Sequence, residues 1–534
     1  MIFAKIKGPP QRTQNNISPL LVFTSIIVFG VILRFFIFSF IHTQNMNFFD
    51  SPQIDTNYYN LYHEALIKHF WEYFFYTHTV TPNILIRDWF NHSFITPELH
   101  SVFNFCFISL LHCFGAWFAY LTLTTLKVPN SIAIISALLL SIRLIGWELT
   151  PSIRSGSWDT EIPFLIILFL WSLANVIKNK TNKSILLSSI SSFFLVSSLQ
   201  SALLIIIPTL VFTIYIANSY RFSVRWIIYS LSLPLILSAT LILKNGYNFG
   251  VYAPTTGMGQ NTIQNLSLSV ISPTSSELIN FAESLNYPSW WTWCYKEAKR
   301  RYSNRKYPHA MAFYGACDKS PTGQPDLDGI KTFLKINGPE NILDLIKKDE
   351  LTLASKPWLF AGYGVNRPTR FNVAYGNVSN RLFFDVIKHA PYGYAVRTYT
   401  NLKYYFFING SKFEEINPSL EFSLESLKQF QALTVPIIRL GMILSYLFTI
   451  LIPTWLLGLA FFQRKLSQPP NTLSITWIIS LGVSLGTFSS VGFSCCENYR
   501  YAFYYFGPVW ILATLGTYVA LKKITLILKK LHTI

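Results

Sequence analysis

Long runs of apolar residues recur along the chain, separated by short polar segments. A helix needs about 20 apolar residues to cross the hydrocarbon core of a bilayer, and the first run, residues 17–41, is long enough. It lacks a small-residue cleavage site, which predicts a retained helix rather than a signal peptide. With nine further runs, the pattern predicts about ten membrane helices, the others at residues 99–125, 130–148, 160–177, 184–198, 200–217, 226–243, 434–461, 474–493 and 503–521.

The run over residues 184–217 is too long for one straight span, so we expect a break near Gln200. This break places the basic segments 178–183, 218–225 and 463–468 on the same side as the N-terminus. Basic residues favour the cytoplasmic side. Residues 245–433 are then expected to form a large segment on the outer side.

Composition supports a membrane protein and argues against a soluble one. Of 534 residues, 51% are hydrophobic and 13% are charged, whereas soluble domains carry about 25% charged residues. The net charge of +18 is expected to lie largely in cytoplasmic anchors near anionic lipid. No basic and aromatic array indicates nucleic-acid binding. We expect a polytopic, mainly α-helical bundle in a bacterial inner membrane.

Three parts are predicted. Residues 1–244 form an N-terminal membrane module, residues 245–433 a periplasmic or luminal domain, and residues 434–534 the last membrane helices with a basic tail. The middle part mixes helical patterns with turn-rich pieces, so a mixed α/β or irregular fold is expected. Cys294 and Cys317 both lie there, where a disulfide between them is chemically permitted.

Two acids, Asp50 and Asp55, follow the first predicted span. From Tyr58 to Phe74, apolar and aromatic residues recur with helical spacing, which predicts an amphipathic helix along the membrane surface. Asp55 stands where a helix N-cap would stand. In one interpretation, Asp55 caps this helix and Asp50 is a solvated loop acid. In the other, the two acids take part in catalysis.

Two further predicted outer loops place charges beside membrane openings. Glu161 lies at the start of a span, where it should face protein or water or complement the helix dipole. Arg500 alone is typical of an interface residue that extends towards water. Together the two loops contribute Glu148, Arg154, Asp159, Glu161, Glu497 and Arg500.

Acids and arginines around one membrane opening are suited to transferring a group from a phosphate-linked donor. A carboxylate can act as general base on an acceptor hydroxyl, and an arginine can stabilise a departing phosphate. An aromatic groove at the bilayer surface suits a long lipid with a phosphate head. The pattern favours glycosyl transfer from a polyprenyl-phosphate sugar, by a single displacement that inverts the anomeric centre.

The chain resembles the GT-C class of integral membrane glycosyltransferases, and within it the protein-mannosyltransferase and aminoarabinose-transferase-like superfamily. Four segments carry the resemblance: "IDTNYYNLYHEAL" (54–66), "SIRSGSWDTEIPFLIIL" (152–168), "NFGVYAPTTGMGQNT" (248–262) and "ENYRYAFYYFGPVWIL" (497–512). The resemblance covers residues 17–262 and 434–521 and leaves the middle domain unmatched.

The resemblance implies roles for individual residues. Asp55 would be the catalytic carboxylate, with Asp50 as the alternative, because "DSPQID" replaces the adjacent Asp-Glu pair of many relatives. The donor or acceptor would be bound by Asp159 and Glu161, the phosphate by Arg154 and Arg500, with Glu497 and Tyr501 beside them. Members of this type often work without a metal, so no cofactor is expected. A divalent ion held by Asp50, Asp55 and Asp159 is the less favoured alternative.

Other functions stay open. An O-antigen ligase or polymerase would use a large outer loop with essential Arg and His, for which "RRYSNRKYPH" (300–309) is a candidate. A lipid or solute transporter would place charges near mid-membrane, where Arg34 lies. A non-catalytic scaffold is a further possibility. The acceptor class (glycan, lipid or protein) stays open as well.

Overall fold

The structure is a computed structural model in which helices dominate. It describes residues 18–43, 56–76, 82–96, 99–148, 161–179, 181–199, 202–218, 225–249, 342–360, 471–493 and 504–532, with isolated positions at 252, 335 and between 384 and 447. Of the described residues 94% are helical and none lies in a strand. The predicted mainly α class is confirmed for this part of the chain.

The main helices follow one another with short connections in the first half of the chain. They are α1 Pro19–Thr43, α2 Thr56–Lys68, α3 Phe70–Tyr76, α4 Pro82–Phe94, α5 His100–Thr125, α6 Asn130–Glu148, α7 Ile162–Asn179, α8 Asn182–Ser198, α9 Leu203–Asn218, α10 Arg225–Phe249, α11 Ile342–Ser355, α12 Asn471–Phe493 and α13 Phe506–His532. A short 3₁₀ helix, Pro357–Phe360, follows α11.

Four of the described helices contain a segment long and apolar enough to cross a membrane. These segments are Pro19–Phe36, Val102–Thr125, Ile162–Asn179 and Phe506–Lys529. Two shorter apolar segments, Asn130–Leu144 and Ile475–Thr487, accompany them. The chain is therefore a helical membrane protein.

Helices α5 and α7 occupy the centre of the bundle. Helix α5 packs against α1, α6, α7 and α13, and α7 also packs against α8, α9 and α12. The hydrophobic core consequently combines residues from both ends of the sequence, such as Val22, Phe169, Ile478 and Trp510. The first and last helices of the chain thus share one core.

A helical break interrupts the long apolar run, as the sequence predicted near Gln200. Helix α8 begins with a capping box. The Thr181 side chain accepts a hydrogen bond from the Ser184 backbone N–H, and the Ser184 side chain accepts one from the Thr181 backbone N–H. It ends at Ser198, because Leu199 adopts extended backbone angles, and α9 begins at Leu203. Two helices therefore replace one overlong span.

Two arginines are buried within the bundle. Arg34 of α1 donates hydrogen bonds to the carbonyl of Gly30 (3.1 Å) and to the side chain and carbonyl of Ser141 (3.1 and 3.3 Å). Sequence reasoning overlooked Arg143, whose guanidinium carbon lies 5.0 Å from the centre of the Phe506 ring. Each arginine therefore connects two helices of the bundle.

Helices α2, α3 and α4 form a layer at one end of the bundle, which we call the cap. Its own small core consists of Ala65, Leu66, Tyr73 and Leu85. The amphipathic pattern from Tyr58 to Phe74 is confirmed as helical, but as two helices with a bend at His69. Helix α4, which begins at Pro82, was not predicted, although proline favours the first helical position.

One described segment of the predicted outer domain reaches the cap. Helix α11 lies within the predicted outer domain, residues 245–433. Beyond it, Trp358 stacks on His69 with ring centroids 4.2 Å apart, and Lys356 pairs with Glu72. Cys294 and Cys317 lie outside the described residues.

Close helix packing generates the first prediction. A Cβ atom added at Gly441 would run into the backbone carbonyl oxygen of Val509 near the start of α13, whereas one added at Gly115 would meet Ile167 at an ordinary 3.5 Å. Gly441→Ala should destabilise the folded protein by about 1–3 kcal/mol, because overpacking forces backbone shifts. Gly115→Ala should unfold within a degree or two of wild type. Thermal unfolding in detergent compares the two, and equal melting temperatures would contradict this packing.

Candidate functional site

An ion pair buried between the cap and the bundle is the centre of the candidate site. Glu161 immediately precedes α7, and Arg87 lies on α4; they are 5% and 8% exposed. The Arg87 Nη1 atom lies 3.2 Å from Glu161 Oε2. A buried charge is costly unless it is paired and hydrogen-bonded, so this pair fixes the position of α4 relative to α7.

The other oxygen of Glu161 has its own donor. The Ser198 hydroxyl at the end of α8 donates to Glu161 Oε1 at 3.0 Å. Asn83 of α4 in turn donates to the Ser198 hydroxyl at 2.6 Å and to the Phe194 carbonyl at 3.1 Å. Both carboxylate oxygens are therefore engaged, by a side chain of α4 and by one at the end of α8.

Asp88 extends these contacts into the cap. Its Oδ1 atom lies 3.5 Å from Arg87 Nε, and its Oδ2 atom accepts a 2.8 Å hydrogen bond from the Tyr62 hydroxyl. Burial raises the pKa of Asp88, while Arg87 and Tyr62 act in the opposite direction. Tyr62, Asp88, Arg87, Glu161 and Ser198 thus form a continuous sequence of polar contacts, which we call the polar chain.

Three histidines from α2, α4 and α5 stand beside the polar chain. The Nδ1 atoms of His63 and His92 are 3.3 Å apart, and the rings of His92 and His100 are 4.9 Å apart. His100 Nε2 lies 3.1 Å from the Asn91 carbonyl and 2.9 Å from that of Ile95, so it carries the proton. Burial, with His100 and His63 nearby, lowers the pKa of His92 to about 4.

The side chains buried between the cap and the bundle include titratable and charged groups. Asp88 and His92 are buried titratable groups, and Arg87 supplies a buried positive charge. Within the described part of the chain, no group of three or more His, Cys, Asp or Glu side chains is placed to hold a metal ion.

Of the predicted site residues, Glu161 is the one that the structure describes. It faces protein, and it bonds to Arg87 and Ser198 rather than acting only on the dipole of its own helix. Helix α2 begins at Thr56, one residue after Asp55. The remaining predicted site residues lie outside the described residues: Asp50, Asp55, Arg154, Asp159, Glu497, Arg500 and Tyr501.

Sequence reasoning missed Arg87, Asp88 and His92. The signal was present in "NILIRDWFNHSF" (83–94), where two adjacent charges interrupt an apolar stretch that is too short to span a membrane. Ile86, Phe90 and Phe94 recur at a spacing of four residues, which marks one apolar helical face. The charged residues then fall towards the other face.

Comparison with known proteins adds no identification. No family model matches the chain, and no curated protein matches it in sequence.

The buried ion pair generates the second prediction. Glu161→Gln keeps an acceptor for Ser198 but removes the closer of the two carboxylates beside the Arg87 guanidinium. We expect a loss of about 3 kcal/mol in the free energy of unfolding, as for other broken buried pairs. Arg87→Met combined with Glu161→Leu should lose clearly less than the two single changes added together, because neither charge remains buried. Thermal unfolding of wild type, Arg87→Met, Glu161→Leu and the double variant measures the coupling, and strict additivity would contradict a direct pair.

His92 generates the third prediction. Its pKa of about 4 in the folded protein is below the ordinary 6.5, so the unfolded chain takes up the proton first. The stabilising contribution is complete above pH 6.5 and decreases as the pH falls towards 4. His92→Gln should therefore flatten the decline of melting temperature between pH 7 and pH 5.

Ser93→Gln is the matched control, because Ser93 follows His92 on α4, is exposed and does not titrate. It should keep the wild-type decline. Asp88 acts in the opposite direction, since its raised pKa favours the folded state as acid is added, and it is present in both variants. Identical slopes for His92→Gln and wild type would remove His92 as a source of the pH dependence.

Proposed function

We propose that this protein is a membrane glycosyltransferase that moves a hexosyl or pentosyl group from a polyprenyl-phosphate donor to an acceptor hydroxyl. It acts on the outer side of a bacterial inner membrane, and about ten membrane helices carry an outer domain at residues 245–433. The acceptor is a hydroxyl of a glycan, a lipid or a protein. No metal ion takes part.

The contact between Arg87 and Glu161 carries the proposal. Glu161 belongs to the predicted acid-bearing loop before α7, and Arg87 belongs to the cap that follows Asp50 and Asp55. Two loops that are far apart in sequence therefore meet at one end of the bundle. Convergence of this kind is what a site assembled from several loops requires.

Asp55 is the proposed general base, with Asp50 as the alternative. The carboxylate takes the proton of the acceptor hydroxyl as its oxygen attacks the anomeric carbon. The bond from that carbon to the phosphate oxygen breaks, and polyprenyl phosphate leaves with the bonding electrons. Attack from the opposite face inverts the anomeric centre.

Other side chains would bind the substrates. Arg154 and Arg500 hold the leaving phosphate, and Asp159, Glu497 and Tyr501 contact the sugar or the acceptor. Glu161 is already engaged by Arg87 and Ser198. We therefore assign it to positioning the cap rather than to direct contact with substrate.

Transport is the second candidate, because Arg34 and Arg143 are buried among the membrane helices. Charged side chains inside a membrane protein often mark a transport path. Arg34, however, bonds to Gly30 and Ser141, which is sufficient to explain its burial. Proteoliposomes separate the two functions, since a transporter moves the lipid-linked sugar without breaking its glycosidic bond.

The fourth prediction tests the base. Purified wild-type protein in proteoliposomes should release polyprenyl phosphate from one of a set of labelled polyprenyl-phosphate hexoses and pentoses. Asp55→Asn should lower turnover by about 100-fold or more, as expected for loss of a general base, with an unchanged melting temperature. Asp50→Asn is the matched control and should retain most of the turnover.

The outcomes have distinct meanings. Loss of turnover in Asp50→Asn alone would move the base role to Asp50. Equal loss in both would assign the two acids to one shared function. If wild type releases no lipid phosphate from any donor of the set, the glycosyltransferase proposal is wrong.

A further inference from the structure

A continuous row of aromatic rings crosses the outside of the cap and continues onto α5. Centroids of successive rings lie between 5.0 and 6.3 Å apart. In spatial order the rings are Trp71, Phe70, Trp89, Phe94, Phe90, Phe103 and Phe107. We call this set the aromatic row.

Most of the row is exposed in the described part of the protein. Phe70 and Phe103 are half-buried, and the other five rings, Trp71, Trp89, Phe90, Phe94 and Phe107, are exposed. On α4, Ile86, Phe90 and Phe94 are 56%, 41% and 66% exposed and recur every four residues. Arg87 and Asn91, on the opposite face, are buried. Helix α4 therefore separates an apolar outer face from the polar chain.

The same pattern recurs on the neighbouring cap helices. Ile67, Trp71 and Phe75 are exposed and also recur every four residues, across the bend at His69. Ala65, Leu66 and Tyr73 are buried. The exposed apolar faces of α3 and α4 are joined by the contact between Phe70 and Trp89.

The row is continuous with a membrane span. Phe90 stacks on Phe103, and Phe103 stacks on Phe107, which is 38% exposed within the span Val102–Thr125. Exposed residues of that span, including Leu110, are expected to face lipid. A large exposed apolar patch commonly marks an interaction site, and here the surface is continuous with a candidate membrane span.

The residue composition of the aromatic row indicates how deeply it would insert into a membrane. Trp and Tyr prefer the interface because their polar atoms reach water, but five of the seven rings in the row are phenylalanines. Phenylalanine has no polar atom to satisfy and is suited to the acyl-chain region. The two tryptophans, Trp71 and Trp89, lie in the cap part of the row.

We propose that the aromatic row is a bilayer-docking surface by which the cap inserts into the acyl-chain region of one leaflet. The polar chain then lies on the protein side of α4, at the depth of the inserted face. A substrate can reach it from within the membrane instead of from bulk water. This insertion requires no particular reaction at the site, so it stands or falls independently of the proposed glycosyl transfer.

Lipid photolabelling of the wild-type protein tests the insertion. The protein is reconstituted into phosphatidylcholine vesicles containing some phosphatidylglycerol and a phosphatidylcholine with a diazirine on one acyl chain. After irradiation, mass spectrometry locates the adducts. We expect peptides containing Phe90, Phe94 and Trp71 to be labelled as strongly as the peptide containing Leu110.

Leu351 of α11 is the matched control, because it is 66% exposed, the same as Phe94, but lies outside the cap and the spans. It should be labelled several-fold less than Phe94. Hydroxyl-radical footprinting of the same vesicles should give the reverse order, with Leu351 oxidised and Phe94 protected. Strong Leu110 labelling with Phe94 labelled no more than Leu351 would overturn the proposal, as would oxidation of Phe94 at the level of Leu351.

Discussion

Removal of the Glu161 carboxylate from water is the constraint on which this end of the molecule depends. A buried carboxylate is tolerated only with a cation and hydrogen-bond donors around it. Arg87 and Ser198 supply them from the cap and from the end of α8. The demand for these partners explains why a short helix between two predicted spans is held against the bundle and does not lie free on its surface.

The same constraint orders the surrounding side chains. Because Arg87 is drawn towards Glu161, the adjacent Asp88 is placed beside the Tyr62 hydroxyl and the histidines of α2, α4 and α5. The opposite face of α4 is left with Ile86, Phe90 and Phe94. One helix thus presents polar chemistry to the protein and apolar rings outwards. This division is suited to a site that serves substrates held in a membrane.

Local signals in the sequence were sufficient for part of the described fold. Apolar length predicted the helices of the four candidate spans, and the excess length of residues 184–217 predicted the break before Leu203. Helical spacing predicted one helix where the structure has α2 and α3. The partner of Glu161 was not predictable in this way, because Arg87 precedes it by 74 residues. Arg87 lies on α4, which is much shorter than the roughly 20 residues of a membrane span. A search for spans therefore passes over it as a connecting loop. Pairings between distant loops depend on how helices pack, which no local pattern encodes.

The proposed function requires a lipid phosphate to bind between the cap and the ends of the bundle helices. A structure of the wild-type protein in a lipid nanodisc, with a non-hydrolysable polyprenyl-phosphonate sugar, tests it most directly. We expect density for the phosphonate between the cap and the start of α7, with the isoprenyl chain leaving between helices into the bilayer. A ligand bound elsewhere, with the cap and Glu161 remote from it, would rule out this binding site.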